Sequence, residues 1–376
     1  MDTYNHLISS RNKITRREFA ALAAIGLSSI ILLGSPKKSL AKEFNSNYNI
    51  VDDLGRTVSI SNNISSIAPK GVPAQTILTT LLPSSITVLV SDISKDRQDY
   101  KSAGLSSLLN LHCVNHQLTA NAMEELLSNN HVIMPDLIID AGLQYDGLAD
   151  ELNSLQHATG IQVFFVDISF GNLSKAYETL GRLLNCEYRA KRLSSWITSA
   201  HEISFNASKT EKPKVFYAQG GGGFALKSSI DVQLQALEHI GAIPVQAGYD
   251  FDKKSISISN LCDTDVDFIL FDDTTLLSQL KAEEGELYET WKTVPAISSK
   301  RYLVSPALMH SWFGSVVLVQ TLGILWLSHT FWFNSCGFNF VDRIISFYSL
   351  FYELNLDIAD ACNLCGICID GDKQYE

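Results

Sequence analysis

MPDLIIDAGLQYDGLADELNSLQHATGIQVFFVD, residues 134–167, decides the fold. Asp136-Leu-Ile-Ile-Asp140 is a short apolar run bounded by acids, the pattern of a strand buried on both faces. Leu148 to Thr159 reads as a helix, and Val163 to Val166 as a second buried strand. Strand, helix, strand in this order implies parallel pairing with helices on the faces of the sheet.

The same alternation extends outward. Val51-Asp52-Asp53-Leu54-Gly55-Arg56-Thr57-Val58-Ser59-Ile60 reads as a hairpin turning at Gly55. Ser66 to Ala68 is a short strand ending at Pro69-Lys70-Gly71, Val72 to Leu82 a helix, Thr87 to Ser91 a strand and Asn121 to Leu127 a helix. From Asn172 to about Ser208 there is neither proline nor strand signal. Leu173, Ala176, Tyr177, Leu180, Leu183 and Leu184 recur there at helical spacing, as one helix of about 35 residues or as two shorter ones. After Pro213 the alternation restarts: Lys214 to Ala218 strand, Asp231 to Ile240 helix, Phe268 to Phe271 strand, Leu276 to Ala282 helix, Tyr302 to Val304 strand. The expected fold class is α/β, with two Rossmann-like lobes, a long connecting helix and a ligand cleft between the lobes. The expected boundaries are 42–171 for the first lobe, 172–209 for the connecting helix, 210–357 for the second lobe and 358–376 for a tail.

The chain has 376 residues, 46% of them hydrophobic and 18% charged, so a large core can form and general disorder is excluded. A net charge of −11 argues against a nucleic-acid partner. Seven cysteines are too few for a disulfide scaffold in a chain this long. Residues 1–41 read as a targeting segment: a basic stretch RNKITRR, an uncharged run from Ala20 to Leu33, and Ser39-Leu40-Ala41 before cleavage. Arg16-Arg17 directly before the apolar run is the pattern of a Tat signal, with an ordinary Sec signal as the alternative. The Tat translocase is then a partner in export, and the expected location is the periplasm. The segment carries six Lys/Arg against two Asp/Glu, which leaves −15 on the remainder.

Taken in order, "VDDLGRTVSI", "MEELLSNNHVIMPDLIIDAG", "ATGIQVFFVD", "LSKAYETLGRLLNCEYRAKRL", "LQALEHIGAIPV", "SWFGSVVLVQTLGILWL" and "FYSLFYELNL" resemble the substrate-binding proteins of ABC importers for iron–siderophore complexes, haem and cobalamin. The resemblance covers nearly all of residues 49–357. It implies two Rossmann-like lobes joined by one long helix, no catalysis and no required cofactor. It also implies an iron(III) complex held in the cleft and handed to a membrane permease. Cobalamin, haem and molybdate or tungstate are the alternative cargoes. The family's permease-docking acid of the first lobe falls at Glu124; on the second lobe Glu238 is the nearest acid to the docking position. Gln235 stands where relatives tend to carry the second acid. Ser315-Val316-Val317-Leu318 replaces the proline-containing turn that relatives often show after the tryptophan of the last loop.

The cleft is expected at loops that follow strands and at helix N-termini. Lys70 is the candidate cation for an anionic ligand, and Tyr145 a candidate wall. In the second lobe Gly221 belongs to the Gly220–Gly223 run, with Lys227 at its edge and Tyr249 in a later loop. His310, Trp312 and Phe313 form the last loop, with Trp312 the leading candidate for ligand contact. Enzyme signatures are absent: no nucleophile elbow, no HExxH and no paired-carboxylate pattern. His112, Cys113 and His116 would make a metal set only on a helix.

Two stretches admit opposing readings. Gly314 to Phe333 is 20 residues without a formal charge, long enough to span a bilayer, and is expected to be a buried helix of the second lobe, with Gly323 allowing close packing. Cys362, Cys365 and Cys368 share part of the spacing of a ferredoxin cluster, but the fourth cysteine is missing. An Fe–S cluster, a zinc site, a disulfide or no function remain open for this tail, and a metal or redox protein using it is the alternative to a transport role.

Overall fold

A computed structural model describes residues 47–94, 97–114, 117–128, 133–207, 212–224, 231–250, 255–273, 276–314, 316–333 and 336–366. The expected signal segment, Lys227, His116 and Cys368 lie outside the described residues.

The hairpin comes first. β1 (Asn47–Val51) pairs antiparallel with β2 (Thr57–Ser61), Val51 opposite Thr57. Its turn is held by the Asp52 carboxylate, which accepts from the backbone N–H groups of Leu54 and Arg56 and from the Arg56 guanidinium at 2.6 Å. Arg56 also donates to the Val163 carbonyl at 2.7 Å and so seats the hairpin on the first lobe. The turn needs positive φ at Gly55, where φ is 77°.

The first lobe is a parallel sheet of β3 (Ile67–Pro69), β4 (Leu137–Gly142) and β5 (Gln162–Asp167), in the order β3-β4-β5. Around it lie α1 (Val72–Leu81), α2 (Ala120–Ser128) and α3 (Leu148–Thr159). Residues 134–167 form the strand–helix–strand unit expected. Thr87 to Ser91 does not become a strand. Gln75 reaches across from α1, and its Oε1 accepts from the N–H groups of Val90 and Ser91 at 2.6 and 3.0 Å, taking the place of a ladder partner. Only isolated bridges remain, Ile67 to Ile86 and Leu89 to Cys113.

The stretch 172–209 is two helices: α4 (Leu173–Leu183) and α5 (Glu187–Asn206). The expected single connecting helix is thereby reduced to α5, whose 20 residues span about 30 Å. The break lies at Asn185, which takes φ 55°, a left-handed conformation that asparagine tolerates. The two helices fold back on each other so closely that a Cβ at Gly181 would overlap that of Ala190.

The second lobe has β6 (Lys214–Ala218), α6 (Asp231–Ile240), β7 (Ile243–Pro244), β8 (Phe268–Phe271) and β9 (Tyr302–Val304), in the parallel order β9-β8-β6-β7. It is followed by α7 (Val317–Trp332), α8 (Phe340–Tyr352) and α9 (Ile358–Cys365). α7 is apolar all round and buried along most of its length, as a central core helix must be. No helix among the described residues is long and apolar enough to cross a membrane. α8 turns its aromatic face to the connector: the Trp196 ring lies 5.1 Å from that of Phe347 and 5.6 Å from that of Phe351, and Phe351 also meets Tyr177 of α4. One core therefore runs from the first lobe through the connector into the second.

Candidate functional site

β6 and β8 end side by side, Phe271 opposite Ala218, and their C-terminal loops open onto a cavity of about 330 Å³. Gly220 and Gly221 come from the first loop, Asp272 and Asp273 from the second, and His310 and Ser311 from the last loop. This is where open α/β sheets receive ligands. The loops are tied to each other through the acids. Asp272 accepts from the Gly220 N–H at 2.6 Å and from the Tyr217 hydroxyl at 2.9 Å, and Asp273 from the Gly222 N–H at 3.0 Å. Gly222 and Gly223 take positive φ, and a Cβ at Gly223 would strike the rings of Phe271 and Trp291. Their lack of side chain serves packing, whereas Gly221 has open space above it and faces the cavity.

His310 sits in a two-strand turn, Ala307–Leu308 against His310–Ser311, with Met309 at φ 62°. Burial pulls its pKa down to about 4, so at neutral pH it presents a neutral imidazole, the form that ligates metal. Val316 borders the cavity, and its neighbour Val317 borders a crevice of about 10 Å³ shared with Phe170 and Gly171 of the first lobe and His201 of the connector. The cavity thus adjoins the junction of the two lobes.

On the first lobe, the C-terminal ends of β3 and β4 carry Lys70 and Asp140. The Lys70 ammonium lies 2.8 Å from a Glu151 oxygen and 3.7 Å from one of Asp140, and the residue is 5% exposed. Lys70, the expected partner of an anionic ligand, already faces two carboxylates with its single charge. Burial raises the pKa of Asp140 despite the neighbouring ammonium. Tyr145 is exposed, as a cleft wall would be, and its hydroxyl donates to Glu151 at 2.6 Å. That bond pushes its pKa up to about 12.

Three expected cleft residues, Trp312, Phe313 and Tyr249, belong instead to the core. Trp312 and Phe313 are fully buried. The Trp312 indole donates to the Tyr348 hydroxyl at 2.8 Å and stands edge-on to Phe340, while Phe313 stands edge-on to Tyr217. Both rings turn inward because α7 and α8 offer them apolar surface and a hydrogen-bond partner. Tyr249 is also core: its ring packs on Phe216, and its hydroxyl donates to the Tyr217 carbonyl at 2.7 Å. His112 and Cys113 lie in a loop after a short helical turn, so helical spacing does not apply to them. Burial raises the Cys113 pKa, with Asp92 adding to it.

Glu124 and Glu238 are exposed on α2 and α6, Glu238 beside the equally exposed Gln235. Cys362 and Cys365 are buried on α9, the Cys365 thiol directed at the Cys362 carbonyl at 3.5 Å. Among the described residues no three His, Cys, Asp or Glu side chains are grouped to hold a metal ion. Asp272, Asp273 and Glu151 were not among the expected site residues, although "VDFILFDD" announces two acids at the end of a buried strand.

No family model matches the chain, and no curated protein matches it. Solved structures do. An ABC transporter solute-binding protein from Sulfurospirillum deleyianum superimposes with a TM-score of 0.70 at 18% identity, over 84% of this chain and 98% of that one. A periplasmic solute-binding protein from Veillonella parvula gives 0.62 at 18% identity, over 87% and 99%. The molybdate periplasmic binding protein MolA of Haemophilus influenzae gives 0.61 at 15% identity, over 82% and 99%. By their names all three are binding proteins rather than enzymes. The chain shares the two-lobed fold of the periplasmic solute-binding proteins of ABC transporters.

Proposed function

We propose that this chain is an exported solute-binding protein that captures an iron(III) complex of the siderophore type and delivers it to the permease of an ABC importer. The observation that carries the proposal is the cavity beside the lobe junction, whose lining includes Asp272, Asp273 and His310. Its size suits a small molecule. Two carboxylates there, and a Lys70 already matched by two more on the first lobe, favour a neutral or cationic complex over an anionic one. MolA is named as bound to molybdate, but the acidic wall here opposes a bare oxyanion. The neutral imidazole of His310 suits an open coordination position on a chelated metal. The shared fold supports periplasmic delivery to a permease, and Arg16-Arg17 supports export through Tat.

Calorimetric titration tests the reading. A ferric trihydroxamate of net positive charge should bind more tightly than a ferric tricatecholate of net negative charge, and the metal-free ligands should bind more weakly than either. Absence of binding for every ferric complex would overturn the iron reading. Preference for the anionic complex would overturn the charge argument.

A further inference from the structure

A second concavity does not belong to the cleft. It has a volume of about 550 Å³ and lies between the connector α5 and α8, sharing no residue with the cavity around His310. Tyr188, Lys191, Arg192 and Trp196 project into it from one side of α5, at the i, i+3, i+4 and i+8 positions that share a helix face. Arg343 and Leu350, two turns apart on α8, form the opposite wall.

Its chemistry is unlike that of the rest of the surface. The chain carries −11, yet three cations gather here. Neighbouring cations do pair with carboxylates: Arg189 on the same helix with Glu353, and Lys175 with Asp53. Lys191, Arg192 and Arg343 enter no ion pair among the described residues. Lys191 also borders a separate concavity with Glu178, Arg182 and Glu187, without pairing with either acid among the described residues. The apolar part is equally specific. Tyr188 is 80% exposed, whereas Trp196, two turns further along α5, is buried and fixed by its indole bond to Ser346 at 3.1 Å and by the rings of Phe347 and Phe351.

We infer that this groove is a second binding site, separate from the cleft, for a small organic anion. The planar or apolar body of the ligand lies against Tyr188, Trp196 and Leu350. Its carboxylate or phosphate is received by Arg192 and Arg343, with Lys191 alongside. Arginine suits this task because its planar fork meets such groups with two hydrogen bonds, and the volume lies in the range of small-molecule sites.

Calorimetry on the full chain tests it with three probes of one shape: naphthoate, naphthyl phosphate and the neutral naphthyl methanol. Both anions should bind at least about tenfold more tightly than the alcohol, the effect of one charge-assisted contact. The stronger anion identifies the head group. The double variant Arg192→Gln, Arg343→Gln should lose that advantage while keeping its circular dichroism spectrum, and His310→Ala should not affect it. Equal binding of anion and alcohol, binding of none of the three, an unchanged double variant, or loss of anion binding in His310→Ala would each overturn the inference.

Discussion

Gly323 in the middle of α7 lies against the backbone carbonyl of Trp312, so closely that a Cβ there would overlap the carbonyl oxygen. The contact brings the last loop of the second lobe flat onto its central helix. It also turns Trp312 inward to Tyr348 and leaves His310 and Ser311 at the cavity.

Gly323→Ala should therefore destabilise the fold by about 1–3 kcal/mol, the range for overpacking a filled core. Thermal unfolding measures it. An unchanged Tm would show that the loop can lift off the helix without loss.

Trp312→Phe removes the indole donor and leaves a void beside Phe340, which should lower stability by about 2 kcal/mol. Affinity of the folded variant for a ferric complex should stay at the wild-type level, since the ring faces the core. Lost affinity at wild-type stability would return Trp312 to the ligand.

Acid should weaken the fold before the carboxylates titrate. Burial holds both His201 and His310 near pKa 4, well below the ordinary value of 6.5, with His239 adding to the effect at His201. The folded state then disfavours their protonation and the unfolded state binds more protons between those values. The stability present above pH 6.5 is lost as the pH falls towards 4. Denaturant midpoints measured across this window should fall, and His201→Gln should flatten part of the slope. A midpoint independent of pH across it would contradict the assignment.

Glu124 and Glu238 stand exposed on α2 and α6, one on each lobe. Reversal to Lys at Glu124 should abolish stimulation of the transporter's ATPase and leave ligand affinity unchanged. Retained stimulation in Glu124→Lys, or lost ligand affinity, would remove it from the docking surface.

Much of the architecture was legible in residues 134–167, because a strand buried on both faces and an amphipathic helix leave different periods in the sequence. The hairpin was legible for the same reason, through Gly55. The break at Asn185 was not, since helical spacing persists up to Leu184 and resumes beyond it. His310 and Gly221, singled out for their positions after strands, line one cavity. The inward turn of Trp312 and Phe313 could not, because it depends on α7 and α8, which follow later in the chain. The ion pair of Lys70 was not legible for a related cause: its partner Glu151 lies 81 positions away, and only the fold brings the two together at 2.8 Å.

The central claim is that the protein carries a ferric complex in the cavity around His310. Native mass spectrometry of the protein recovered from the periplasm of iron-limited cells of its own host, with metal analysis of the same fraction, tests it most directly. The account predicts one small-molecule adduct per chain that contains iron, with its occupancy reduced in His310→Ala. An adduct without iron, or one unaffected by His310→Ala, would contradict it.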